Sequence, residues 1–186
     1  MYIARKYKES NIVEYVLYMW HIEELIRSFN LDIEAIKSGV IAGFNMNEAA
    51  NKEMVDWYND LIKQMRQQGI NERGHLEELN EIMTELIYLH QSLLTVYQDK
   101  AYQTLLAEAH VSLEELKQKS MGGTRSEVET AMNGLFGVLM LKLNKRQVSE
   151  ATQEAITSIS KMMAHLSRQY HRMKEGSLSL PKVMGN

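Results

Sequence analysis

A single proline in 186 residues, Pro181, leaves the preceding 180 positions free of any residue that must break a helix. Across those positions apolar residues recur at spacings of three and four, and no segment of useful length alternates with a period of two. The pattern predicts an all-α chain. An apolar content of 45% is ordinary for one globular core, so a single domain is expected.

Residues 11–29 carry the most constrained of these stripes. On a helix turning about 100° per residue, Ile12, Val13, Val16, Leu17 and Trp20 face one side, while Met19, Ile22, Leu25, Ile26 and Phe29 lie round the other. A helix apolar over most of its circumference is a buried one. Asn30 and Leu31 then end it, Asp32 caps a short connector helix reaching Gly39 or Gly43, and Asn47 caps a long helix that stops at Gly69. His75 to Gln98 reads as the next helix. Asp99 caps another, running to about Ser120 with a kink near Val111, where Ser112-x-x-Glu115 forms a capping box. Met121-Gly122-Gly123 is the strongest break, and Thr124-x-x-Glu127 is a capping box for a helix ending near Leu143. That helix contains Gly134 and Gly137, which predict a second helix backbone close by. Ser149 caps the last helix, which ends at Gly176. The expected architecture is an antiparallel helical bundle of about six main helices plus a short connector helix. Residues 1–176 form its single domain and residues 177–186 a flexible tail.

The absence of cysteine removes disulfides, thiolate metal sites and cysteine nucleophiles, and fits a reducing, cytoplasmic setting. No apolar run follows the basic residues Arg5, Lys6 and Lys8, so a signal peptide is not expected. The longest apolar run, residues 135–141, is far short of the ~20 residues of a membrane span. Charge is unevenly spread: residues 1–141 hold 13 Lys+Arg against 21 Asp+Glu, and residues 142–186 hold 8 against 3. Intramolecular complementarity between an acidic body and a basic end accounts for this pattern.

Chemistry is sparse. A carboxylate-bridged dimetal site needs Glu-x-x-His on two helices, but Glu72-x-x-His75 is the only such pair and straddles Gly74. No phosphate-binding glycine loop occurs, and no spacing selects a nucleophile. The expectation is therefore no catalytic residue, no metal and no cofactor. Two groups remain as candidates. Trp20, Glu23, Glu24, Arg27 and His90 could form a polar or ligand-binding cluster: Glu23 and Glu24 both reach Arg27 along the helix, and His90 replaces a leucine in a core-facing stripe. The structural reading of the first pair is a buried Glu23–Arg27 ion pair. His21 with Glu24 and His75 with Glu78 read as surface contacts. Lys161, His165, Arg168 and Arg172 form a basic row on the last helix that could follow phosphates, though nucleic acid is disfavoured because exposed aromatics and a helix-turn-helix pattern are lacking.

The segments EYVLYMWHIEELIR (14–27), MRQQGINERGHL (65–76), NGLFGVLMLKL (133–143) and TQEAI (152–156) resemble an uncharacterised Bacteroidetes family of domain-of-unknown-function proteins. The resemblance covers nearly the whole chain. It implies an all-helical, cytosolic, single-domain protein and supplies no catalytic residues. The expected function is a non-enzymatic interaction or scaffold protein acting through helix faces, as a homodimer or with a protein partner. The alternative is a small-molecule-binding bundle or enzyme using Glu23, Arg27 and His90.

Overall fold

The period of three and four resolves into α1 (Tyr2–Ser10), α2 (Ile12–Ser28), α3 (Ile33–Gly39), a 3-10 turn (Ile41–Phe44), α4 (Glu48–Gln67), α5 (Glu77–Thr95), α6 (Lys100–Lys119), α7 (Glu127–Leu143) and α8 (Glu150–Lys174). The computed structural model describes residues 2–44, 47–119 and 126–180, and no strand occurs among them.

Two helices organise the packing. The first is α2, which buries ten of its 17 residues, as its apolar circumference requires. It packs on α1, α5, α7 and α8, and α8 packs in turn on α2, α5, α6 and α7. Val16, Ile26, Leu86, Leu93, Leu113, Met132, Met163 and Leu166 are fully inaccessible in the shared core. Filling such positions with whole Leu, Ile or Met side chains contributes about 1.5–3 kcal/mol each.

Caps fix most of the helix starts where short-range logic places them. The Asn11, Asp32, Asn47 and Ser149 side chains accept backbone N–H groups in the first turns of α2, α3, α4 and α8. Asp99 Oδ1 accepts the Tyr102 N–H at 3.0 Å. Asn11 also acts across the fold: Ser167 of α8 donates its hydroxyl to Asn11 Oδ1 at 2.8 Å and accepts the Ile12 N–H at 3.1 Å. The start of α2 is thus tied to the middle of α8.

The structure departs from the sequence reading at several points. Residues 2–10 form α1, a helix the apolar pattern did not announce because Ala4 is its one buried residue. Val111 and Ser112 lie within an uninterrupted α6, so the Ser112 box starts nothing. The capping box of α7 is Ser126 with Glu129, where each side chain meets the other's backbone N–H; Thr124 and Met121-Gly122-Gly123 lie outside the described residues. At Gly134 the close neighbour is a side chain rather than a backbone. A Cβ there would stand 2.6 Å from Leu116 Cδ1, whereas one at Gly137 would meet nothing within 4 Å. After α8, Gly176 adopts a left-handed φ of 70°, Ser177 donates its N–H to Arg172 O at 2.8 Å, and Leu178 packs against the core. The rest of the expected tail, residues 181–186, lies outside the described residues.

Asn11→Ala should cost about 2 kcal/mol in urea denaturation, and Asn47→Ala, an exposed cap of the same type, about 1 kcal/mol. The excess measures the Ser167 bridge. Equal losses would show that bridge to contribute nothing.

Candidate functional site: two buried polar clusters

Glu23 is 1% exposed on the inner side of α2, and a carboxylate there requires partners. They come from the turn between α4 and α5. Gly74, at φ 96°, bends the chain so that His75 and Leu76 meet the carboxylate: His75 Nδ1 lies 2.6 Å from Oε2, and the Leu76 N–H donates to Oε1 at 2.9 Å. Leu76 is the N-cap of α5 and has no side chain able to cap. Glu23 takes that role from another helix, and its charge faces the positive end of the α5 dipole. Gln68 Oε1 serves a second open donor, the Glu77 N–H, at 2.8 Å.

The expected Glu23–Arg27 pair is therefore corrected. Arg27, only 9% exposed at its side chain, pairs with Glu24 at 2.7 Å. Its guanidinium also donates to Ile70 O and Gly74 O, clamping the turn that Glu23 holds from the other end. Helical spacing allowed both glutamates to reach Arg27, but the desolvated one went to the desolvated donors. Trp20 belongs to the same cluster through its ring, which stacks on His75 at 4.4 Å between centroids with planes 19° apart, and meets Phe136 edge-on. The His75 imidazole, with Nδ1 committed to Glu23, is one third exposed.

His90 lies apart from this cluster, in a second one joining α5, α6, α7 and α8. Its Nδ1 is 2.7 Å from Tyr102 Oη. Burial, reinforced by Glu127 and Asp99, raises the Tyr102 pKa, so the phenol stays protonated and donates to Nδ1. Nε2–H then faces the Glu127 carboxylate, 3.0 Å from Oε2. Burial lowers the His90 pKa, and Glu127 offsets this only in part.

The Tyr102 ring leans on His165, whose Nε2 lies 2.9 Å from Asp99 Oδ2; Gln169 donates to the same oxygen at 3.1 Å. Burial alone would raise the Asp99 pKa, but hydrogen bonds from His165 and from the Tyr102 and Ala101 backbone outweigh it and hold the carboxyl low. The basic row of α8 is broken accordingly. His165 turns inward to Asp99, while Lys161, Arg168 and Arg172 stand exposed, Arg172 bonding Gln169 Oε1 and Ser177 O.

A third arrangement repeats itself along α5. Lys8 lies over the Tyr15 ring and pairs with Glu78, which also accepts the Tyr15 hydroxyl at 3.3 Å. Lys174 lies over Tyr170 and pairs with Glu85, which accepts the Tyr170 hydroxyl at 2.5 Å. Between the two lies a groove of about 330 Å³ floored by Ile12 and Ile82. These clamps fasten α1, α2 and α8 to α5, and they fill the groove's ends with the protein's own ammonium groups.

Among the described residues no group of three or more His, Asp and Glu side chains is placed to hold a metal ion. Among the described residues no helix is long and apolar enough to cross a membrane. Sequence reasoning missed His75, Tyr102 and Glu127 as cluster members; the visible signals were a histidine directly after Gly74 and the Asp99 cap just before Tyr102.

Fold and clusters define an all-helical protein whose buried charged groups hold helix ends and helix pairs together. The chain belongs to the DUF4924 family: the model of that domain of unknown function matches residues 1–177. No curated protein and no solved structure matches the chain.

In a double-mutant cycle, Glu23→Gln and His75→Phe should couple by about 1.5 kcal/mol or more, and Glu23→Gln and Arg27→Met by less than about 0.5. Coupling of the reverse order would restore the Glu23–Arg27 pair. His90 also gives the fold a pH dependence. Its folded pKa lies below the unfolded value of about 6.5, so the unfolded chain takes up the proton first as pH falls. Stability should be full above about pH 6.5 and decline below it, and His90→Gln should flatten that slope in melts between pH 7.5 and 5.5.

Proposed function

We propose that this chain is a non-enzymatic interaction protein that acts through helix faces and pairs first with itself, as a homodimer. The reading takes residues 1–176 as one cytoplasmic domain, an antiparallel bundle with α2 and α4–α8 as main helices and α3 as the connector.

One observation carries it: α7 is apolar on nearly every side, yet one face of its C-terminal half is not covered, although Val138 in that half is buried and Phe136 and Leu139 pack against the core. Val128, Thr130, Ala131 and Met132 in its first half are buried, whereas Gly137, Leu141 and Leu143 in its second half are exposed. Leu143 is 49% and Leu141 36% accessible. Gly137 and Leu141, one turn apart, share a face, and an uncovered face of this kind marks a contact surface. The other features that invited a partner are met inside the chain, since α2 is covered by its own neighbours and Gly134 by Leu116.

The alternative, a ligand-binding or catalytic cluster, draws on the Glu23–His75 pair, whose carboxylate–imidazole order is that of a general base. Against it, Glu23 is occupied by the Leu76 N–H, Arg27 by two carbonyls and His90 by Tyr102. Light scattering at tens of micromolar should give about twice the 21.5 kDa chain mass. A mass of one chain would remove the homodimer. A small molecule retained by the wild type and lost with folded His75→Ala would favour the binding reading.

A further inference from the structure

We propose that the exposed half of α7 pairs antiparallel with the same helix of a second copy, Leu141 of each chain seated over Gly137 of the other. This rests on the self-association reading and adds the surface and its register. The face is self-complementary. Gly137, Met140, Leu141 and Asn144, with Arg146, surround a shallow concavity of about 480 Å³ on the protein surface. Its hollow is the missing side chain of Gly137, where a Cβ would touch nothing within 4 Å. Its projection is Leu141, one turn further along the same face.

A two-fold axis placed between positions 137 and 141 puts each projection into the other copy's hollow, which is the self-matching geometry of a closed dimer. A parallel copy would instead set leucine on leucine and glycine on glycine. Charge selects the same orientation. The end of α7 and the turn after it carry Lys142, Lys145 and Arg146, all exposed and without an acidic partner among the described residues, while its first turn carries Glu127 and Glu129. In the antiparallel register Lys145 and Arg146 come level with positions 133 and 132 of the partner, within about one turn, ~5 Å along the axis, of its Glu129. The two helix dipoles also oppose.

The chain has no cysteine, which makes the register directly testable. Gly137→Cys and an affinity-tagged Leu141→Cys are purified separately, confirmed helical by circular dichroism, mixed in equal amounts, allowed to exchange and mildly oxidised. A disulfide needs Cα atoms within about 7 Å, a condition the register meets between positions 137 and 141 of different chains and not between identical positions, which lie roughly 9 Å apart. The expected product is a covalent dimer containing one chain of each kind, with little of either homodimer. Gly137→Leu should weaken wild-type self-association at least about tenfold by filling the hollow. Homodimeric crosslinks from Leu141→Cys alone would overturn the register. A wild-type dimer by light scattering whose mixed variants do not crosslink overturns the α7 surface and leaves self-association standing. A wild-type monomer overturns both.

Discussion

The carboxylate of Glu23 is the contact on which the arrangement of α2, α4 and α5 depends. An ionised group removed from water at this depth would be prohibitive alone, and here it meets an imidazole and a backbone N–H that each need an acceptor. The need is mutual. The first N–H groups of α5 have no intrahelical partner, and Leu76 cannot supply one. One buried charge therefore satisfies a helix terminus, orients His75 against Trp20 and fixes where the α4–α5 turn crosses α2. Arg27 completes the seat by taking the carbonyls of the same turn. Loss of Glu23 alone would expose several donors at once, which is why such a group is costly to remove even where its net contribution is modest.

The second cluster uses the same economy in another place. Tyr102 and His90 fill core volume between α5 and α6 with their rings while Tyr102 Oη and His90 Nδ1 bond each other and His90 Nε2 faces Glu127. Asp99 does double duty, capping α6 through one oxygen and holding His165 and Gln169 of α8 through the other. The packing of α6 on α8, the most extensive between helices among the described residues, is thereby pinned at one end by polar contacts of fixed geometry. Hydrophobic burial supplies most of the stability of such a pair, but directional bonds choose its register.

What was legible in the sequence divides along sequence distance. The caps at Asp32, Asn47, Asp99 and Ser149 were readable because a capping side chain and its N–H lie within three residues. The burial of α2 was readable from its circumference. The partner of Glu23 was not, because His75 is 52 positions away and the nearer Arg27 satisfied every local rule. Helical periodicity places a residue on a face and says nothing about which distant turn covers that face. His90 was correctly placed in the core, yet grouping it with Glu23 had no geometric basis, since two inward-facing polar residues on different helices need not meet. At α7 the local rule misled by two residues, because Thr124 and Ser126 both precede a glutamate at the right spacing.

The contrast between α2 and α7 shows where an apolar circumference stops implying burial. Both helices are apolar on most sides, and in both the amphipathic signal is weak. Every turn of α2 has neighbours, because α1, α5, α7 and α8 enclose it from different directions. The first half of α7 is enclosed in the same way, down to Gly134, where Leu116 and Ile156 occupy the space a side chain would have taken. Beyond that point one side of the helix still packs inward, with Val138 buried and Phe136 and Leu139 against the core, while the side carrying Gly137 and Leu141 is left open. Water is the default neighbour of Gly137, Leu141 and Leu143, and sequences do not hold consecutive apolar turns in water for the sake of monomer stability. Polar substitutions at those positions would leave the intramolecular core untouched, since few core atoms contact them. The inward side of this half-helix is thus explained by the fold of one chain, and the open face at Gly137 and Leu141 is the part that the proposed self-association would cover.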